Sequence, residues 1–319
     1  MSQSTTRSIW GSLNPQIPDT RIVILNGLLA AIYTSVAFAS LKLFATLNAS
    51  ASPVWPPTGL AIAVLLLYGS RLWPGVYVGA FLANYLNTGT LDSSLAIAVG
   101  NALEAFACAY LVSRFAKGIS AFDNPRNLAI FVSAGLIAPL ISATIGVTTL
   151  GITGQSQWSL YAPVWVTWWL GDASGALIVA PLIISFLQPS RPSPTGRLPE
   201  LALLIFSTLV VGEIVFAPVL FSSISAIRLS FTVVPIIVWA GLRFGSRGAT
   251  GTTFLFSTIA VWGTLAGLGT YGTGNNALLS LQFAMTVLAT MGLAVGAVVH
   301  QRLDAQEESR KAHEAEKRF

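Results

Sequence analysis

The run YAPVWVTWWLGDASGALIVAPLIISFL, Tyr161 to Leu187, carries one charged residue, Asp172, in an otherwise apolar, tryptophan-rich stretch. A helix of about 20 apolar residues crosses a bilayer, and this run is longer. Other segments read alike. Ile22–Leu47 precedes it, then a segment opening at Trp55-Pro56-Pro57 and closing at Tyr68, then Leu72–Leu86, Leu95–Val112 and Leu128–Leu150. Leu201–Phe221, Ser230–Phe244, Ala249–Leu268 and Ala277–His300 follow it. The expected fold is an all-α integral membrane bundle of about ten transmembrane helices with a C-terminal cytoplasmic helix. The second, third and eighth segments are short, tilted or partly re-entrant, so the count runs from about eight to about ten.

Composition agrees. The chain has 319 residues of which 9% are charged, and a mean hydropathy of +0.71. A soluble domain carries about a quarter charged residues. Too few polar groups are present to cover a water-exposed surface, so lipid is the solvent for much of it. The net charge of +5 sits between apolar runs, where it reads as a topology signal and as contacts to anionic lipid. No basic tract interleaved with aromatics occurs, and nucleic acid is not an expected partner.

With the N-terminus inside, every Lys and Arg falls on the cytoplasmic side except Lys42 and Arg228. The positive-inside rule then places both ends on the cytoplasmic side of an inner membrane. The organisation expected is a cytoplasmic tail over 1–21, a membrane-embedded domain over 22–300 and a cytoplasmic helix over 301–319. The N-terminus shows no cleavable signal pattern, and Ile22–Leu47 is too long for a signal peptide's apolar core. The outer loops are short, with no periplasmic ligand-catching domain. Gln188 to Pro199, rich in proline, is a plain cytoplasmic connection.

Gly69-Ser70-Arg71 and Gly245-Ser246-Arg247 each close a short segment entered through proline (Pro56 and Pro57, then Pro235). That likeness suggests parallel structural repeats. After His300 the chain becomes charged and free of Gly and Pro. It should continue the last helix into the cytoplasm, with Asp304, Glu307 and Glu308 before Arg310 and Lys311 at favourable spacings. The chain stops at Phe319 in mid-helix, which favours a signalling stalk over a solvated tail.

Ionisable residues at membrane depth are costly and are functional suspects. They are Glu104, Asp172, Glu213 and Lys42, with Asn84, Asn101 and Gln282 as neutral company. Asn101 and Glu104 share a helix face. The alternative is that such residues hydrogen-bond neighbouring helices and only hold the bundle together. Trp55-Pro56-Pro57-Thr58-Gly59 makes a broken helix end able to line a polar cavity. Trp158 suits an interfacial belt, whereas Trp168 and Trp169 sit deeper. The candidate ligand site is therefore Trp55, Asn84, Asn101, Glu104, Trp168 and Asp172.

Enzyme patterns fail. Gly267, Gly269 and Gly272 fit G-x-G-x-x-G but lie at a membrane exit with no strand before them. Cys108, the one cysteine, cannot form an internal disulfide or a cysteine metal cluster. No Walker or H-E-x-x-H motif occurs. His300 reads as interfacial and His313 as solvated. No catalytic residue, cofactor or metal site is expected.

These residues resemble the first class of membrane-associated sensor domains, the MASE family, over nearly the whole chain. The resemblance rests on Trp55-Pro56-Pro57-Thr58-Gly59, Gly69-Ser70-Arg71 with Trp73-Pro74, and Gly79-Ala80-Phe81-Leu82-Ala83-Asn84. It continues through Gly100-Asn101-Ala102-Leu103-Glu104 and Gly171-Asp172-Ala173-Ser174-Gly175, with Ala180-Pro181. Trp239-Ala240-Gly241-Leu242-Arg243-Phe244-Gly245 and Leu281-Gln282-Phe283 complete the order. It implies a bacterial sensory input module acting on a histidine kinase, diguanylate cyclase or phosphodiesterase domain, in cis or in trans. It supplies no ligand, and no such output domain is present. A homodimer is allowed. The alternatives are a small-molecule or proton-coupled transporter, allowed by the intramembrane carboxylates, and a scaffold recruiting another membrane protein.

Overall fold

A computed structural model describes residues 19–44, 52–188, 198–219, 230–268, 271 and 274–317. The N-terminal tail up to Pro18 and the proline-rich loop 189–197 lie outside the described residues. So do parts of the outer loops, with Arg228, and Gly269, Gly272 and Phe319. The described chain is helical: α1 Asp19–Phe44, α2 Pro56–Tyr68, α3 Trp73–Thr88, α4 Leu91–Phe115, α5 Pro125–Ile137, α6 Pro139–Ile152, α7 Tyr161–Leu187, α8 Leu198–Phe216, α9 Val234–Leu265 and α10 Asn275–Glu316.

The expected count of about ten spans is corrected. Among the described residues six helices are long and apolar enough to cross a membrane. They are Thr20–Leu43, Leu91–Phe115, Pro125–Ile152, Trp158–Leu187, Leu198–Phe216 and Asn275–Glu316. The shortfall has physical causes. With 13 residues, α2 reaches roughly 20 Å at 1.5 Å per residue, short of a ~30 Å hydrocarbon core. The 16 residues of α3 reach roughly 24 Å. The eighth and ninth apolar segments are the two halves of α9, which breaks at Gly245 (φ 62°, ψ −149°).

The chain forms two compact units. The first runs to Ile119 and resumes over Ile130–Ile184, and the second holds Ser120–Ala129 and everything from Ser185 onward. Within the first, α3 packs on α1 and α4, and α4 on α2 and α6. The start of α3 is tied to α1 by Asn26. Its Oδ1 accepts the Gly75 N–H at 2.6 Å, and its Nδ2 donates to the Arg71 carbonyl at 3.2 Å. Gly79 lies so close to α1 that an added Cβ would sit 2.7 Å from Tyr33 Cβ. That approach sets Tyr33 into the core.

The second unit packs α9 on α8 and α10. Both Gly-Ser-Arg triplets mark turns between helices, each with its glycine in the positive-φ region: Gly69 at 103° and Gly245 at 62°. At Gly245 the backbone takes a shape essentially reserved for glycine. This break lets Arg247 reach the end of α7. Its Nε donates to the Ser185 carbonyl at 2.9 Å, and one terminal nitrogen donates to the Gln188 carbonyl at 2.7 Å. These oxygens are helix-end acceptors with no intrahelical donor. Nearby, Arg243 forks onto Glu200 at the start of α8, and the Trp239 indole donates to the same carboxylate. The 42 residues of α10 run without a break past His300, helped by a Lys311–Glu307 pair at 2.8 Å.

Candidate functional site

The site begins where α2 meets α7, both in the first unit. The spacing Gly171-x-x-x-Gly175 puts two residues without side chains on one face of α7, and Gly59 matches them on α2. A Cβ on Gly175 would lie 2.1 Å from the Trp55 carbonyl oxygen, and one on Gly59 would lie 2.3 Å from the Gly175 carbonyl. The backbones therefore touch. The Trp55 N–H donates to the Gly171 carbonyl at 2.9 Å. Pro56 and Pro57 follow as the first residues of α2, where a missing N–H costs no helical bond.

This contact brings Thr58 to Asp172, and its hydroxyl donates to Asp172 Oδ1 at 3.3 Å. On α4, Asn101 and Glu104 point inward to the same place. Ser142 of α6 donates to Asn101 Oδ1 at 3.1 Å, and the Trp168 indole donates to the Ser142 oxygen at 3.2 Å. Trp168 is seated against Gly146, where a Cβ would lie 2.7 Å from its ring. The Glu104 and Asp172 carboxyls lie close enough to act on each other electrostatically. Their relative exposures are 0% and 1%. Both oxygens of Glu104, Asp172 Oδ2 and the Tyr33 hydroxyl have no partner at hydrogen-bond geometry.

Five of the six candidates thus gather in one place: Trp55, Asn101, Glu104, Trp168 and Asp172. Asn84 does not join them. It is half-buried on α3, and its amide donates one turn back to the Ala80 carbonyl. Lys42 is exposed at the end of α1, over the Phe38 ring. Glu213 and the buried Gln282 belong to the second unit, and Glu213 accepts the Val219 N–H. Three members were not singled out from the sequence: Tyr33, Thr58 and Ser142. Thr58 sits inside the Trp-Pro-Pro-Thr-Gly motif and could have been found there. Tyr33 and Ser142 are a lone phenol and a lone hydroxyl in apolar helices, with no local signal. Trp165 and Trp169 also bond toward α6 and its approach, to Thr144 and to the Leu136 carbonyl. That explains tryptophans at depth without a ligand. Trp158 is exposed and stacks on Tyr161.

The family model MASE1 matches residues 25–303, which contain every residue of this cluster. The chain belongs to the MASE1 family. MASE1 domains are membrane sensory input modules and not catalytic ones. No curated protein and no solved structure among those compared matches the chain. Among the described residues of this MASE1 domain, no group of three His, Cys, Asp or Glu side chains is placed to hold a metal ion. The cluster offers hydrogen-bond acceptors and two carboxyls, and among the described residues no basic group acts on either carboxyl.

Proposed function

We propose that this chain is the sensory input domain of a bacterial inner-membrane signalling system, with both ends cytoplasmic. The Glu104–Asp172 cluster is its stimulus site. The last helix passes the change to a histidine kinase, diguanylate cyclase or phosphodiesterase domain, in cis or in trans. The observation that carries this reading is α10. It is buried at Leu281, Gln282 and Met285, and exposed from Gln301 to Leu303 and beyond. Its 42 residues amount to roughly 63 Å, about twice a hydrocarbon core. A helix of that length, rigid and without Gly or Pro in its outer part, can deliver a shift or rotation to a domain below the membrane.

The positive charges left inside by this orientation support the topology. A site of buried, incompletely bonded carboxyls supports the location of the stimulus, since intramembrane carboxyls mark ligand or proton sites. Those same carboxyls favour one other reading, a proton-coupled transporter. Reconstitution in liposomes separates the two, because saturable solute flux would support transport.

The direct test is a fusion of a diguanylate cyclase domain after Phe319, with cyclic-di-GMP output measured in cells. Glu104→Gln and Asp172→Asn should each move output several-fold while the protein remains folded in the membrane. Equal output from all three proteins, at equal expression, would remove the cluster from the signalling path.

A further inference from the structure

We propose that Glu104 and Asp172 form a proton-binding pair, and that one exchangeable proton shared between their carboxyl groups is the ligand of this site. The inference rests on reading the cluster as the stimulus site, and it names what that site takes.

The case starts from a count of donors and acceptors. The Thr58 hydroxyl is given to Asp172 Oδ1, the Ser142 hydroxyl to Asn101 Oδ1, and the Trp168 N–H to Ser142. Both oxygens of Glu104 and one of Asp172 are left with no donor. An ionised carboxylate accepts only, so two of them cannot satisfy each other. Nor can they be left as they are, because an unpaired buried charge costs several kcal/mol. Among the described residues no lysine, arginine or histidine acts on either one. The deficit is therefore one of hydrogen. A proton taken from hydronium turns one carboxylate into a donor for the other, with one O–H bond formed, and its return to water breaks that bond.

A second element points into the same spot. Tyr33 of α1 is 1% exposed and its hydroxyl lacks a partner at bonding geometry, yet it lies close enough to feel both carboxyls. Among the described residues a further titratable group beside Glu104 is Cys108, one turn along α4. From the elements packed around the pair come Thr58 of α2 with Trp55 just before it, Ser142 of α6 and Trp168 of α7, all uncharged. From α3 only Gly, Ala and Val residues are buried.

A larger cation fits less well. Asp172 Oδ1 and Asn101 Oδ1 are already committed, whereas a hard cation takes about six oxygens. Gly59, Gly146 and Gly175 around the cluster have no room even for a methyl group. A proton needs no space. Its departure leaves two negative charges facing each other across α4 and α7 in a medium where like charges repel strongly. α7 is the helix whose last turn, from Ser185, belongs to the second unit and is held by Arg247.

The test is infrared difference spectroscopy of the purified chain in nanodiscs, titrated from about pH 4 to pH 9. The expected result is one carboxylic-acid C=O band that titrates as a single proton, shifts in heavy water and is lost in both Glu104→Gln and Asp172→Asn. Carboxyl-labelled glutamate or aspartate in the wild-type protein assigns the band even where a variant does not fold. Replacing sodium with choline should change the proton affinity less than about twofold, since each tenfold change is about 1.4 kcal/mol of competition. No titrating band from these residues overturns the proposal. A tenfold sodium-dependent shift also overturns it and makes the ligand a metal cation. The spectrum needs no output domain, so it stands apart from the signalling reading. A proton-binding pair whose fused cyclase ignores pH would retain the proton and lose the sensor.

Discussion

Replacing Gly175 with alanine should prise α2 off α7. The new Cβ would stand 2.1 Å from the Trp55 oxygen and 2.8 Å from its carbonyl carbon. Ordinary contact begins near 3.4 Å, so the start of α2 must retreat by about 1.3 Å. The atoms in the way are backbone, and no rotamer change relieves them. The Trp55 N–H to Gly171 bond of 2.9 Å would then stretch to about 4 Å, past any useful geometry. Overpacking costs about 1–3 kcal/mol, and a lost hydrogen bond adds about 1 kcal/mol. At about 2 °C per kcal/mol for a chain of this size, the apparent unfolding midpoint should fall by roughly 4–8 °C. The assay is thermal unfolding in detergent or nanodiscs, with Gly27→Ala as the control. Gly27 has nothing within 4 Å of its Cβ, and alanine there should hold or slightly raise the midpoint. Equal midpoints for the two variants would refute the backbone contact, and with it the geometry that brings Thr58 to Asp172.

Three further outcomes follow from other parts of the chain. Gly245→Ala forces a side chain into a conformation at φ 62°, ψ −149°, which should cost about 1–3 kcal/mol. It should speed hydrogen exchange in α9, whereas Gly251→Ala, with its nearest atom at 3.9 Å, should not. Arg247→Ala leaves the carbonyls at the end of α7 without their donor, and amide exchange should rise in its last turn. Arg247→Lys should restore only part of the protection, because an ammonium cannot reproduce the fork. Topology reporters placed after Gln188 and after Phe319 should read cytoplasmic, and one at Gly154 periplasmic. A periplasmic reading at Phe319 would remove the stalk along with the orientation.

The membrane class was legible because it needs only hydropathy and segment length. The number of spans was not, because apolar character is shared by helices that cross and helices that are too short to cross. The 13 residues of α2 and the break at Gly245 are decided by length and by one backbone angle, and neither changes the hydropathy pattern. The two Gly-Ser-Arg triplets share a glycine at positive φ, Gly69 and Gly245, a backbone feature that the sequence match alone does not show. At the candidate site, Glu104 and Asp172 announced themselves by their cost in an apolar helix. Ser142 and Tyr33 could not. A hydroxyl in a helix is commonly satisfied by a carbonyl one turn back, as Thr34 and Thr208 are, and only the packing of α6 against α4 aims Ser142 elsewhere. Asn84 looked equivalent to Asn101 from its setting, yet it closes on its own helix.

The central claim is that α10 carries a mechanical signal out of the membrane. The measurement that tests it most directly is cyclase output from the fusion after Phe319, with one to four residues inserted at Gln306. A helix turns about 100° per residue. Output should therefore depend on the phase of the insertion, falling for one or two residues and recovering in part near a whole turn of about 3.6 residues. Output that ignores every insertion would contradict the account and make this helix a passive tether.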